Sequence, residues 1–155
     1  MSLHRLPVRA LMAQSVVTIY QDQLVADASQ AMQEFNFRRL PVMDEDDCMV
    51  GMVSAADILE AETASRVFNS YEPGTRANWL TVADIMTRDV ITIDPDATVG
   101  ELAARLVEHK IDGVPVVEPD PRFPRRARLV GIITAVDIFG ALAEAWRAEQ
   151  VQPHS

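Results

Sequence analysis

Two short β-branched runs, Val16-Val-Thr-Ile19 and Val90-Ile-Thr-Ile93, each precede a polar turn and then a stretch with apolar residues at helical spacing. The runs predict strands. The spaced residues are Val25, Ala28, Met32 and Phe35 in one stretch, and Val99, Leu102 and Leu106 with Ala103 and Val107 in the other. Both stretches predict amphipathic helices. Thr98, with Glu101 three residues on, is a capping box that places the start of the second helix. Two further strands follow each helix, at 40–43 and 49–54 and again at 114–117 and 129–134. A closing helix then begins at Ala55 or Ala135. The order is β-α-β-β-α, twice, an α/β chain of the α+β kind.

The duplication extends to residue identities. With Val8 set over Val82 the chain aligns to itself without a gap as far as Asp44 over Glu118. Leu40-Pro-Val42 faces Val114-Pro-Val116. After a longer loop in the second copy, Val50-Gly-Met-Val-Ser-Ala-Ala-Asp-Ile58 faces Val130-Gly-Ile-Ile-Thr-Ala-Val-Asp-Ile138. A copy of some 50 residues buries too little surface to stand alone, so the copies are expected to pack together. The first copy is placed at 7–62 and the second at 81–145. A linker at 63–80, centred on Asn69-Ser-Tyr-Glu-Pro-Gly74, separates them, and 146–155 forms a helix end and frayed tail. Ile138, Leu142, Ala145 and Trp146 share one stripe of the last helix, an expected packing surface for a second copy of the chain.

Composition narrows the function. The chain has 155 residues, 48% of them hydrophobic, which excludes wholesale disorder, and a formal charge of −9, which argues against nucleic acid as a partner. No apolar run approaches the roughly 18 residues that span a bilayer. No basic leader with a long apolar segment opens the chain, so a cytoplasmic location is expected. Cys48 is the sole cysteine, which excludes an internal disulfide and a multi-cysteine zinc site.

The residues that could carry chemistry recur in pairs. Ser54-x-x-Asp57 and Thr134-x-x-Asp137 each stand where a strand passes into a helix. A helix start favours anionic or hydroxyl-rich ligands, and a carboxylate on its first turn can accept both hydroxyls of a ribose. The same four-residue pattern is also a helix cap that implies no ligand. Arg38-Arg39 precede Leu40-Pro41-Val42 where Asp112-Gly113 precede Val114-Pro115-Val116. Each proline suits an edge strand or a place a ligand approaches, and Gly113 allows close approach. Neighbouring residues of a strand alternate in direction, so at most one arginine faces a cleft, where it could clamp phosphate; surface salt bridges are the plainer role. Asp44-Glu-Asp-Asp47 is expected to be a solvated turn in preference to a magnesium site, so no metal is expected. The loop at 119–128, rich in proline and arginine, is expected at the surface. His4, His109 and His154 are scattered, no nucleophile lies in a catalytic motif, and no Gly-rich phosphate loop occurs, so no enzymatic activity is expected.

The order and duplication of these segments resemble tandem CBS domains, named after cystathionine β-synthase, a pairing also called a Bateman module. The resemblance rests on Asp84-Ile-Met86-Thr87 with Val90-Ile-Thr-Ile93, on the Leu-Pro-Val and Val-Pro-Val strands, and on the two Gly-x-x-[Ser/Thr]-x-x-Asp segments, and it covers nearly the whole chain. It implies two units related by a pseudo-two-fold axis, with adenosine-containing ligands (AMP, ADP, ATP, S-adenosylmethionine and relatives) in clefts between the copies. Asp57 and Asp137 would hold ribose hydroxyls, and Ser54 and Thr134 would lie near ribose or phosphate. Thr18 and Thr92 would border the adenine, and the strands of Pro41 and Pro115 would form the other wall. The reading is a regulatory module needing no cofactor. Its expected partners are an adenine nucleotide or S-adenosylmethionine as regulatory ligand, a second copy of itself, and an effector protein the sequence does not name. The alternative is a structural or protein-interaction module with empty clefts.

Overall fold

The computed structural model describes residues 2–68 and 79–151, so the linker core at 69–74 and the last four residues lie outside the described chain. The elements in order are β1 (Ile19–Tyr20), α1 (Val25–Phe35), β2 (Arg39–Met43), β3 (Met49–Ser54), α2 (Ala55–Phe68), α3 (Val82–Ile85), α4 (Val99–His109), β4 (Gly113–Pro119), β5 (Ala127–Thr134) and α5 (Ala135–Val151). Two 3₁₀ turns, Leu3–Arg5 and Val8–Ala10, precede them. The class is mixed α+β, and α5 runs as helix to Val151, six residues into the stretch 146–155 where a helix end and tail are expected.

The compact units do not follow the sequence copies. One, the first-copy unit, comprises 17–90 and 119–128; the other, the second-copy unit, comprises 1–16, 91–118 and 129–155. The segment leading into each copy therefore packs with the body of the other. In the first-copy unit, Val82 N–H donates to Gln23 O at 2.8 Å and Ala83 N–H to Gln21 O at 2.9 Å. In the second-copy unit, Val8 N–H donates to Ala97 O at 2.8 Å and Arg9 N–H to Pro95 O at 2.9 Å. Arg9 also pairs with Asp96 at 2.8 Å. Val8 and Val82, equivalent in the repeat, are both fully buried, each in the core its segment has joined.

In the first-copy unit β1 runs parallel to β2, and β2 antiparallel to β3, with Arg39 opposite Ser54 and Pro41 opposite Met52. Ile19, Leu40, Val42 and Val53 of the strands close over Val25, Ala28 and Met32 of α1 and Ile58 of α2. In the second-copy unit Val114, Val116 and Ile133 of the neighbouring strands β4 and β5 meet Leu102 and Leu106 of α4. The helix starts use complementary halves of one device. Thr98 accepts from Glu101 N–H at 3.1 Å ahead of α4, whereas Leu24, its counterpart, has no acceptor and instead donates its N–H to Asp27 at 3.1 Å ahead of α1.

The first strand of each copy is shorter than its β-branched run predicts. Pairing starts only at Ile19 in one copy and is the single bridge of Ile93 with Val116 in the other. The cause lies in the neighbouring strand. Ile93 N–H donates to Pro115 O at 3.1 Å and Val117 N–H to Ile93 O at 2.9 Å. The next bond upstream in a parallel ladder would need an N–H on residue 115, which proline lacks, and Pro41 stands at the same place in the first copy.

Candidate ligand sites at the two helix starts

Each closing helix starts directly from the end of a strand, so the junction has to satisfy the helix's first amides locally. In the first-copy unit Ser54 N–H donates to Asp57 Oδ2 at 2.9 Å and Asp57 N–H to Ser54 Oγ at 3.0 Å, a complete reciprocal cap. In the second-copy unit Thr134 N–H donates to Asp137 Oδ2 at 2.9 Å and its hydroxyl to the same oxygen at 3.2 Å. Among the described residues the capping bonds of both carboxylates fall on Oδ2. The first helical amide is also taken: Ala55 N–H donates to Arg38 O, and Ala135 N–H to Asp112 O, both at 2.8 Å. Both aspartates are half-buried.

The predicted residues divide cleanly between the units. Thr18, Arg38, Arg39, Pro41, Ser54 and Asp57 lie in the first-copy unit, and Thr92, Asp112, Gly113, Pro115, Thr134 and Asp137 in the second-copy unit. Arg38 and Arg39 are exposed, Thr18 and Thr92 half-buried, and the rings of Pro41 and Pro115 fully buried. Arg39 sits opposite Ser54 across the ladder. Gly113 lies against Thr134, whose Cγ2 would be 2.9 Å from a Cβ on the glycine. In the second copy Arg105 of α4 donates to Thr92 O, a contact the sequence did not signal; its counterpart, Ala31, has no donor to offer.

A cavity of about 360 Å³ between α1 and α2 is lined by Ser29, Met32, Gln33, Asn36, Phe37, Ala55, Ile58, Leu59 and Glu62. None of the predicted site residues lines it. The apolar spacing that marks α1 gives no sign of a gap beside it.

The acidic turn at 44–47 is not simply solvated. Asp44 is buried, and the loop at 119–128 folds onto it within the first-copy unit: Arg126 pairs with Asp44, and with Asp46 at 2.9 Å. Arg122 donates to Asp46 O and pairs with the buried Asp120 at 3.2 Å, and the ring of Phe123 lies under both guanidinium groups. Arg126 thus engages the carboxylates of both Asp44 and Asp46. Among the described residues no group of three or more histidine, cysteine or acidic side chains is placed to hold a metal ion. The Cys48 thiol, buried ahead of β3, lies 3.6 Å from Asp120 Oδ2; burial foremost, then that carboxylate, raises its pKa. The Tyr20 hydroxyl donates to Asp47 at 2.8 Å, which raises the pKa of the phenol.

The hydrogen bond from Arg122 outweighs burial and holds Asp120 down to about 2. A carboxyl more acidic in the folded chain than in the unfolded one stabilises the fold above the unfolded value, near pH 4, and loses that contribution as pH falls toward 2. The stability gap between wild type and Asp120→Asn, measured by urea unfolding, is expected to hold from pH 7 to about pH 4.5 and to narrow by about pH 2.5. A gap unchanged at the lowest pH would remove the pairing as its source.

The family model described as CBS domain matches residues 8–64 and 82–144. L-aspartate semialdehyde sulfurtransferase from Methanocaldococcus jannaschii is 30% identical over 131 residues, 84% of this chain but 22% of the relative. The chain thus spans about a fifth to a quarter of the length of the first curated relatives it matches. The crystal structure of AcuB from Vibrio cholerae superposes with a TM-score of 0.75 at 27% identity, covering 96% of this chain and 98% of that one. The CBS domain pair of protein MJ0100, solved in complex with 5′-methylthioadenosine and S-adenosyl-L-methionine, superposes at 0.67 with 27% identity, covering 90% and 98%.

Proposed function

Because this chain belongs to the CBS domain family, we propose that it is a regulatory pair that senses an adenosine-containing ligand at its two strand-to-helix junctions. One observation supports the reading: among the described residues the capping bonds of Asp57 and Asp137 fall on Oδ2, which in this proposal leaves Oδ1 to a ligand. A carboxylate held by its own backbone is preorganised to accept the 2′- and 3′-hydroxyls of ribose, with little ordering left to occur on binding. The MJ0100 pair, whose fold the chain shares, is one that holds two adenosine derivatives. In this proposal Thr18 and Thr92 border the base, and Arg38 or Arg39 serves as a phosphate clamp. Ligand binding would act by favouring one arrangement of the protein over another, and tenfold preference requires about 1.4 kcal/mol. Such a module takes no part in catalysis and needs no cofactor of its own. Second-copy association through α5 belongs to the same proposal, since Phe139, Leu142 and Trp146 are each more than half exposed. The effector protein and a cytoplasmic setting also remain parts of the proposal. Among the described residues no helix is long and apolar enough to cross a membrane.

Titration calorimetry with AMP, ATP, adenosine and S-adenosylmethionine tests the site. Asp57→Ala and Asp137→Ala are each expected to weaken binding at their own junction by about 1.5–3 kcal/mol, the range for a charge-assisted hydrogen bond. A wild type that binds none of the four would leave the structural module as the reading.

A further inference from the structure

The cavity between α1 and α2 is faced by one stripe of each helix. Ser29, Met32, Gln33 and Asn36 fall at i, i+3, i+4 and i+7 along α1 and its cap, and Ala55, Ile58, Leu59 and Glu62 repeat that spacing along α2. Met32 and Ile58 are buried, so the apolar part of the lining is continuous with the core of the first-copy unit. The second copy carries other residues at the polar positions. Ser29 stands over Ala103, Gln33 over Val107 and Glu62 over Leu142, whereas Met32 and Ile58 stand over Leu106 and Ile138. The duplicated fold therefore needs the two apolar positions and does not need the three polar ones. Asn36 stands over Lys110, and both hold a left-handed backbone, at φ 57 and 55, so that conformation does not call for asparagine either. Polar side chains on an open helix face need no explanation. Here they line a hollow of about 360 Å³, within the range of roughly 300–1,000 Å³ that small-molecule pockets occupy.

The chemistry of the lining selects its occupant. Serine, glutamine, asparagine and glutamate side chains all offer acceptor oxygens, and among the described lining residues Glu62 alone is charged. An ammonium group, with three donors and no acceptor, matches that set. Phe37 adds a ring whose face attracts a cation, and Met32 a thioether that packs favourably on aromatic groups. We propose that the cavity is a binding site for a small aryl-alkyl ammonium, its charged end held by Glu62, Gln33 and Asn36 and its ring laid on Met32, Ile58 and Leu59. The site stands apart from the adenosine junctions, none of whose residues lines it, and does not depend on them.

Tryptamine, tryptophol and indole-3-propionate share a ring and a two-carbon arm and differ in the charge at its end, which makes them the probes. Each is titrated into the isotope-labelled full chain at pH 7 and followed by NMR. Tryptamine is expected to shift the resonances of Met32, Ile58 and Glu62, and to bind about tenfold more tightly than the neutral tryptophol, the order by which a charge-assisted hydrogen bond exceeds a neutral one. The anionic indole-3-propionate is expected to bind most weakly. Glutamine forms helices as well as glutamate, so Glu62→Gln is expected to fold and to lose most of the preference for tryptamine. Glu62→Leu, which installs the residue of the second copy, is expected to lose it entirely. A wild type that does not bind tryptamine, equal binding of all three probes, or a preference that survives in Glu62→Gln overturns the proposal. Shifts at these residues that follow protein concentration and not tryptamine would give the cavity to a second copy of the chain, and overturn it likewise.

Discussion

Gly51→Val is expected to cost about 3 kcal/mol of stability, and Gly131→Val as much, although each glycine lies mid-strand with no need for a left-handed backbone. A Cβ on Gly51 would fall 2.7 Å from Thr87 O and 2.8 Å from Met86 Sδ. On Gly131 it would fall 2.7 Å from Ala13 O and 2.8 Å from Met12 Sδ. The thioether can turn away, but the carbonyl cannot. Thr87 O accepts from Met52 N–H at 2.9 Å while Thr87 N–H donates to Met52 O at 2.8 Å. Ala13 and Ile132 exchange the same two bonds at 2.9 and 2.8 Å. Relieving the clash lifts the lead-in segment off its strand, so the ordinary overpacking cost of about 1–3 kcal/mol is joined by part of two hydrogen bonds worth about 1 kcal/mol each. In a chain of this size the melting point should fall by roughly 6–12 °C. Met86→Ala should not rescue Gly51→Val. Amide exchange supplies a sharper reading. Gly51→Val should quicken residues 52 and 87 and spare 13 and 132, and Gly131→Val the reverse, because the two pairs lie in different compact units. Equal quickening at all four would mean that the lead-in segments are not held as separate pairs.

That exchange of lead-in segments could not be read from the repeat, although most of the rest could. The helices announce themselves by apolar spacing, and the starts of α2, α4 and α5 by their caps, because both signals are local. Self-alignment shows that Val8 and Val82 are equivalent, but two identical valines can fill either core, so nothing local says which they enter. The short first strands have a local cause that the β-branched runs do not carry: Pro41 and Pro115 stand where the parallel ladder needs an amide. The aspartates at the helix starts were legible as residues and as caps. That a single oxygen of each takes the capping bonds depends on side-chain geometry that residue spacing does not carry. The contrast of Arg39 and Ser54 with Gly113 and Thr134 is visible in the alignment as two separate differences. Only the facing register of the strands joins them into one. The pairing of Arg126 with Asp44 was hidden by distance along the chain, since opposite charge alone names no partner among fourteen cations and twenty-three acids.

Asp44→Ala should be among the most damaging single changes outside the apolar cores, also near 3 kcal/mol, and the reason separates two contributions that are easily confused. Asp44 Oδ1 accepts from Asp46 N–H at 2.9 Å and Cys48 N–H at 3.0 Å, while Oδ2 takes the Arg126 guanidinium. Arg126 is about a third exposed and keeps Asp46 at 2.9 Å and the face of Phe123 as further partners. Its ion pair is therefore screened, and losing Asp44 leaves it supported. The amides have no such recourse. Cys48 is fully buried, and an orphaned buried N–H costs about 1–3 kcal/mol. Asp44→Asn keeps an acceptor oxygen of the same reach and gives up only the charge, so it should cost about 1 kcal/mol. Urea unfolding of the two variants at low and high salt separates the contributions. If Asn proves as harmful as Ala, or if 1 M NaCl erases the cost of Ala, the ion pair and not the amide cage holds the turn. The thiol of Cys48 reads the same event directly. It should react with a disulfide reagent far faster in Asp44→Ala than in wild type, and only slightly faster in Asp44→Asn, because access to the buried sulfur requires the turn that Asp44 closes to open.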